Sequence, residues 1–300
     1  MESDNAGEKE RQRAAWSSVV AAVGLTAAKL VVGLITRSLG ILAEAAHSGL
    51  DLAAASLTLF AVRTADKPAD KGHLFGHGKV ENLSALFETL LLLATSAWIL
   101  IEAFERLFRK HVQVEASFWA FAVMAASIAV DVSRSRMLYR AARRFNSQAL
   151  EADALHFSTD IWSSAAVIVG LAGVRLAGAY PSLRFLAFGD VAAAVIVALI
   201  VIYVGLRLGW RTIQALIDAA PRGLADRIQH AIEALPGIAD CHQVRVRPSG
   251  ARWFVDLHVT MDGMRSLEET HAATEEIEEE IRRLVPRADV TVHVEPAPPA

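Results

Sequence analysis

The sequence predicts a membrane α-helical protein with six transmembrane helices, followed by a small C-terminal α+β domain of order α-β-β-α-β. Three observations carry this. The 300 residues are 53% hydrophobic, with a mean hydropathy of +0.34 and only 21% charged residues. A soluble domain of this length is usually less apolar and more charged. Six runs have the length and apolarity of membrane helices, for which about 20 residues are needed. After about Pro221 the texture changes to short alternating and amphipathic segments.

The elements follow in order. Residues 1–13 read as a polar cytoplasmic tail, and the apolar run behind them is too long for a signal-peptide core, so no signal peptide is expected. The six runs lie near Ala14–Ile35, Leu39–Val62, Val80–Leu107, Phe118–Leu138, Leu150–Val174 and Leu186–Leu208. The second and fifth look poor on hydropathy because each carries a His/Asp pair. Their alternative is as amphipathic helices of a soluble core, which the four clearer segments around them argue against. Lys9, Arg11 and Arg13, then Arg63, Lys67, Lys71 and Lys79, then Arg136, Arg140, Arg143 and Arg144, then Arg211, Arg222 and Arg227 gather on one side. The other side has fewer: Arg37, Arg106, Arg109, Lys110, Arg175 and Arg184. Basic residues concentrate in the cytoplasm, so both termini are expected there.

The membrane domain is expected over 14–217, the cytoplasmic domain over 218–296 and a disordered tail over 297–300. In the small domain, Leu224–Leu235 reads as an amphipathic helix closed by Pro236-Gly237. Cys241–Arg247 and Trp253–Met261 alternate like strands around a turn at Pro248-Ser249-Gly250, and Val290–Val294 is a last short strand. Between them Ser266–Val285 is a charged helix, with Ser266 and Glu269 spaced as a capping box.

One short pattern occurs twice. His47-Ser48-Gly49-Leu50-Asp51 lies in the second run and His156-Phe157-Ser158-Thr159-Asp160 in the fifth. Helical positions i and i+4 share a face, so each copy presents an imidazole beside a carboxylate. Ionisable groups inside a bilayer are costly and usually face a cavity or pathway. A lone HxxxD arises by chance. Two copies together supply two nitrogens and two oxygens, a tetrahedral set suited to Zn²⁺. Protons compete for the same donors, so affinity should fall with pH.

Two further groups stand outside the predicted spans. Asp70, His73 and His77 supply three donors within a glycine-containing loop, which reads either as a metal site or as a polar loop that contains histidine. His242, His258, His271, His293 and Glu295 come from different strands and a helix, and form a site only if the fold converges them; otherwise they are scattered surface groups. Cys241 is the only cysteine, which excludes an intrachain disulfide and a thiolate cluster. Lys29, Glu44 and Asp131 fall within or near the spans, where Lys29 is expected to pair with an acidic neighbour or to snorkel.

The chain resembles the cation diffusion facilitator family of metal transporters. The resemblance rests on six helices, HxxxD in the second and fifth, Phe75-Gly76-His77-Gly78-Lys79 before the third, and the C-terminal α-β-β-α-β order. It implies a ferredoxin-like, metallochaperone-like cytoplasmic domain. It also implies a homodimeric antiporter that exports divalent metal in exchange for protons. The family's transport site matches His47, Asp51, His156 and Asp160, its loop site Asp70, His73 and His77, and its cytoplasmic binuclear site His242, His258, His271 and His293. A bacterial zinc exporter of the family has aspartate where this chain has His47 and Glu295. Imidazole in place of a hard oxygen should disfavour Mn²⁺ and Fe²⁺ relative to Zn²⁺. Lys79 and Asp218 resemble a pair that locks the membrane and cytoplasmic parts at the family's dimer interface.

The leading function is secondary active export of Zn²⁺, with Cd²⁺ as surrogate, across a bacterial inner membrane. A membrane zinc hydrolase is the alternative from another class, but four protein ligands leave no position for water, and no HExxH or GxSxG motif occurs. A membrane metal sensor would not explain ligands buried in the bilayer. No enzymatic activity and no nucleic-acid partner are expected.

Overall fold

The computed structural model describes residues 2–37, 39–108, 118–179 and 189–297. Leu186, the basic residues Arg109, Lys110 and Arg184, and the tail 298–300 lie outside them. Six long helices come first: α1 (Glu2–Thr36), α2 (Leu39–Ala65), α3 (Lys79–Phe108), α4 (Phe118–Phe145), α5 (Gln148–Ala179) and α6 (Gly189–Leu216). Helices α1, α2, α4 and α5 pack as a bundle; α3 and α6 pair beside it, meeting α2 and α5. The bundle core gathers Leu59, Val62, Leu138, Leu150 and Phe157 with small alanines that let the helices approach.

Among the described residues, four stretches are long and apolar enough to cross a membrane: Gly7–Thr36, Glu44–Ala65, Lys79–Ile101 and Val195–Leu216. Helix α2 therefore qualifies despite His47 and Asp51. One difference concerns the amino-terminal segment. The first helix begins at Glu2, not at Ala14. Its polar turns find tertiary partners: buried Arg11 pairs with Asp66 and, at 2.7 Å, with Glu81. Glu10 meets Arg144 at 2.7 Å, and Glu8 meets Arg252 at 3.5 Å.

The C-terminal domain follows the expected order: α7 (Leu224–Glu233), β1 (Ile238–Ser249), β2 (Arg252–Met261), α8 (Leu267–Leu284) and β3 (Ala288–Pro296). The strands lie in the order β1-β2-β3, the first pair antiparallel and the second parallel. The strands run a few residues longer than their alternation alone suggests, since backbone pairing continues to Ser249↔Arg252. Ser266 caps α8, and the capping box with Glu269 is formed in both directions. Both helices cover one face of the sheet. Ile228, Ile232, Ile277 and Ile281 are fully buried there against Val255, Leu257 and Val259, each contributing roughly 1.5–3 kcal/mol. The opposite face is left open, as a sheet packed on one side permits.

The loop between α2 and α3 rests on this domain. Phe75 packs edge-on to Phe254 at 5.3 Å, and the Arg247 guanidinium lies over Phe75 at 4.3 Å. Gly250 N–H donates to Asn82 at 3.0 Å, and Lys79 meets Asp218 at 2.9 Å. Gly78 makes the closest approach: a Cβ there would sit 2.3 Å from the Ser249 carbonyl oxygen. Because that neighbour is backbone, Gly78→Ala should push the two parts apart and destabilise the protein by roughly 1–3 kcal/mol. Thermal unfolding in detergent checks this; an unchanged melting temperature would contradict the contact.

Candidate metal centres

Helices α2 and α5 run in opposite directions, and each carries His one turn before Asp. Antiparallel packing therefore sets His47 against Asp160 and Asp51 against His156. His156 Nε2 lies 3.1 Å from Asp51 Oδ1 and 3.8 Å from Asp160 Oδ2. His47 Nε2 lies 3.8 Å from Asp51 Oδ1 and 3.8 Å from Asp160 Oδ1. Nitrogen and oxygen thus alternate around a closed ring. Ligands at about 2.0–2.1 Å on a tetrahedral Zn²⁺ would stand roughly 3.3–3.4 Å apart, and donor atoms of His47, Asp51 and Asp160 lie within 4.8 Å of one another. Accessibility is graded: the His47 side chain is 45% exposed, Asp160 21%, Asp51 12% and His156 11%.

These four side chains are braced by further polar groups, of which the sequence singles out Lys29, Glu44 and Asp131 but not their other partners. Lys29 Nζ donates to Ser48 Oγ at 2.8 Å and meets Glu44 at 3.3 Å, as a paired intramembrane lysine should. Thr26 Oγ donates to the Ser48 carbonyl at 2.9 Å, which ties α1 to α2 beside His47. Ser135 and Ser158 share a hydrogen bond at 2.7 Å and tie α4 to α5 beside His156. Arg134 lies 3.5 Å over the ring of buried Phe157, meets Asp131 at 3.5 Å and donates to Ser18 at 3.0 Å. Ser18 in turn donates to Asp153 at 3.2 Å. Glu88, also buried, is held by the Thr58 and Ser84 hydroxyls. Buried carboxylates are stable only when hydrogen-bonded or paired. Their signal in the sequence is a charge inside an apolar run, but their partners come from other helices.

In the loop, Asp70 Oδ1 lies 3.4 Å from His73 Nδ1, and Asp70 Oδ2 lies 3.3 Å from His77 Nε2. The His73 and Gly72 backbone N–H groups donate to Asp70 Oδ1 at 2.7 and 2.8 Å. Those bonds hold the Asp70 carboxyl below its ordinary range. Gly76 adopts φ +77°, the left-handed conformation that lets the chain turn between the two imidazoles.

On the open face of the small domain, strand register aligns His242↔His258 and His258↔His293 in one row. A shift in register just beyond His242, where Gln243 has φ +52°, preserves this row. Glu295 lies 2.9 Å from His258 Nδ1, 3.5 Å from His242 Nε2 and 3.7 Å from His293 Nε2. The His258 hydrogen bond holds the Glu295 carboxyl below its ordinary range. Donor atoms of His242, His258 and Glu295 lie within 4.8 Å of one another. Asp240 bonds His242 Nδ1 at 2.8 Å and orients the other nitrogen toward Glu295. His271 is not brought to this group. It sits on α8, which covers the other face of the sheet, and its side chain is 72% exposed beside Glu275. Burial pushes the Cys241 thiol up to about 11, so it offers no thiolate.

A multi-pass helical domain with a polar ring inside it, joined to a small domain with a second donor cluster, defines the class of a membrane cation carrier. Residues 15–217 match the family profile described as the cation efflux transmembrane domain, and residues 220–297 match that of the cation efflux protein cytoplasmic domain. The cation-efflux pump FieF of Yersinia enterocolitica is 30% identical over 288 residues, spanning 94% of this chain and 92% of that protein. FieF of Yersinia pestis (strain Pestoides F) is 30% identical over 298 residues, spanning 95% and 94%. Among solved structures, the metal-bound C-terminal domain of CzcD from Thermotoga maritima is 31% identical, with a TM-score of 0.24, over 26% of this chain and 94% of that one. The chain belongs to the cation diffusion facilitator family, and is a multi-pass cation efflux transporter rather than an enzyme.

The isolated domain, residues 221–300, contains the whole open-face group. If the group binds metal, Zn²⁺ at about 100 times its Kd should stabilise that domain by about 2.7 kcal/mol. His258→Ala, which removes the middle of the row, should abolish the shift. A wild-type melting curve indifferent to Zn²⁺ would rule the site out.

Proposed function

We propose that the transporter exports Zn²⁺, with Cd²⁺ as surrogate, from the cytoplasm in exchange for protons, through a His2Asp2 site made of His47, Asp51, His156 and Asp160. The single observation that carries this reading is the closed ring of alternating imidazole and carboxylate atoms. Charge accounting supports the exchange. Two carboxylates bring −2 to the ring. Two protons on the imidazoles neutralise it, and so does one Zn²⁺ bound to neutral imidazoles. Alternating between these two loads keeps the intramembrane site neutral in both halves of a cycle, which a low-dielectric setting favours.

Exposure and polar closure support alternating access. With the small domain in the cytoplasm, Asp51 and His156 are the inner ligands and His47 and Asp160 the outer ones. On the inner side several contacts join the bundle to the α3–α6 pair: Arg11 with Glu81, Asn82 with Gln148, Glu151 with Arg211, and Thr58 with Glu88. These contacts close the inner route in this arrangement, and the more exposed outer ligands face the release side. Loading from the cytoplasm then requires the bundle to move against the pair and break them. The loop group at Asp70, His73 and His77 and the row at His242, His258, His293 and Glu295 serve as regulatory metal sites of a homodimer. The loop group adjoins the place where the cytoplasmic domain bears on the segment leading into α3. The cytoplasmic domain's family is that of the ZT dimer, which supports the homodimer. With basic residues on the same side, it also supports both termini in the cytoplasm of a bacterial inner membrane.

In proteoliposomes under an imposed pH gradient, Zn²⁺ flux should fall at least about 100-fold in Asp51→Ala or Asp160→Ala, since either loss breaks the ring and unbalances its charge. Flux should also require the gradient. Near-normal flux from either variant, with dimer and fold intact, would contradict the site; flux indifferent to pH would contradict the exchange.

A further inference from the structure

The inner ends of α1 and α4 enclose an open groove of about 730 Å³, whose walls include Glu10, Arg13, Ser17, Met137, Arg140 and Arg144. Glu10 neutralises Arg144 at 2.7 Å. Arg13 and Arg140 are exposed, and neither forms an ion pair among the described residues. Two uncompensated guanidinium groups from two different helices therefore address one cavity. Guanidinium forks match phosphate oxygens better than any other side chain.

The level of the groove in the membrane follows from its flanks. Trp16 is one turn beyond Arg13 on α1, and Tyr139 precedes Arg140 on α4; both rings are exposed. The Arg63 guanidinium lies 5.6 Å over the Trp16 ring and that of Arg143 lies 4.5 Å over Tyr139. Amphipathic rings with cations beside them settle at the headgroup level. Past that level α1 enters its apolar span, and Met137 with buried alanines at 14 and 141 gives the groove a less polar floor. A free anion would use the arginines but not the floor. A phospholipid uses both, its phosphate on the arginines and the start of an acyl chain along the floor.

We propose that this groove is a binding site for one anionic phospholipid per protomer, its phosphate bridging Arg13 of α1 and Arg140 of α4. The bound lipid fastens α1 to α4 at the point where the two helices also meet through Ser18 and Arg134, the contact that holds Asp153 one turn below His156. The site is independent of which ion the transporter carries.

The test uses the full-length protein in detergent. Native mass spectrometry after titration with phosphatidylglycerol or phosphatidylcholine should show one phosphatidylglycerol retained per protomer, preferred by about 10–30-fold. A corresponding rise in melting temperature should accompany it. Arg13→Gln/Arg140→Gln should reduce the preference to within about twofold, while Arg222→Gln/Arg227→Gln, which removes the same charge from the C-terminal part, should leave it intact. Zn²⁺ binding to the double variant reports separately on fold and transport site. Equal retention of the two lipids by the wild-type protein would overturn the proposal without recourse to any variant. So would a preference unaltered in the Arg13/Arg140 variant, or inorganic phosphate alone that reproduces the stabilisation.

Discussion

Everything in the membrane domain answers to one constraint: two carboxylates and two imidazoles have been placed where water is scarce, and their charges must be balanced there. Antiparallel α2 and α5 meet it by crossing their pairs, so that each carboxylate faces both imidazoles. Removing one member of such a ring leaves an uncompensated charge, which is far costlier than never having built it.

The surrounding architecture extends that balance outward. Arg134 brings positive charge to the side of the ring where Asp131 and Asp153 bring negative charge, and its guanidinium lies over the ring of buried Phe157. Glu88 and Asp153 keep one oxygen each without a hydrogen-bond partner among the described residues, Oε2 and Oδ1 respectively. Farther in, Arg11 reaches both Asp66 and Glu81 and so joins the ends of α1, α2 and α3. There the loop between α2 and α3 begins and, through Gly78 and Phe75, leans on the small domain. Contacts therefore run from the turn between β1 and β2, through the loop, to the helices that carry the ring.

Local chemistry was readable from the residues, and tertiary chemistry was not. The repeated HxxxD needs only helix geometry, so His47 with Asp51 and His156 with Asp160 could be paired in advance. Their crosswise meeting depends on helix direction, and the distances report it. The capping box at Ser266 is a local signal and forms as expected. His242, His258 and His293 could be named but not aligned, because strand register depends on the irregularity beyond His242. His271 shares their residue type but sits on α8, on the other side of the sheet, which spacing along the chain does not reveal. Residues 2–13 read as a tail because polar residues bear no periodic signal; buried Arg11 makes them a helix through partners 55 and 70 residues away. Asp240, Ser48 and Ser135 are short polar residues that gain a role only from what the fold sets beside them.

The most direct measurement is Zn K-edge X-ray absorption on full-length protein whose loop and open-face sites are disabled by His73→Ala, His77→Ala and His258→Ala. One zinc per protomer should remain, with four nitrogen or oxygen neighbours at about 2.0–2.1 Å, two of them imidazoles by their outer-shell scattering. A six-coordinate oxygen shell, fewer than two imidazoles, or no retained zinc would contradict the ring as the site that holds the transported ion.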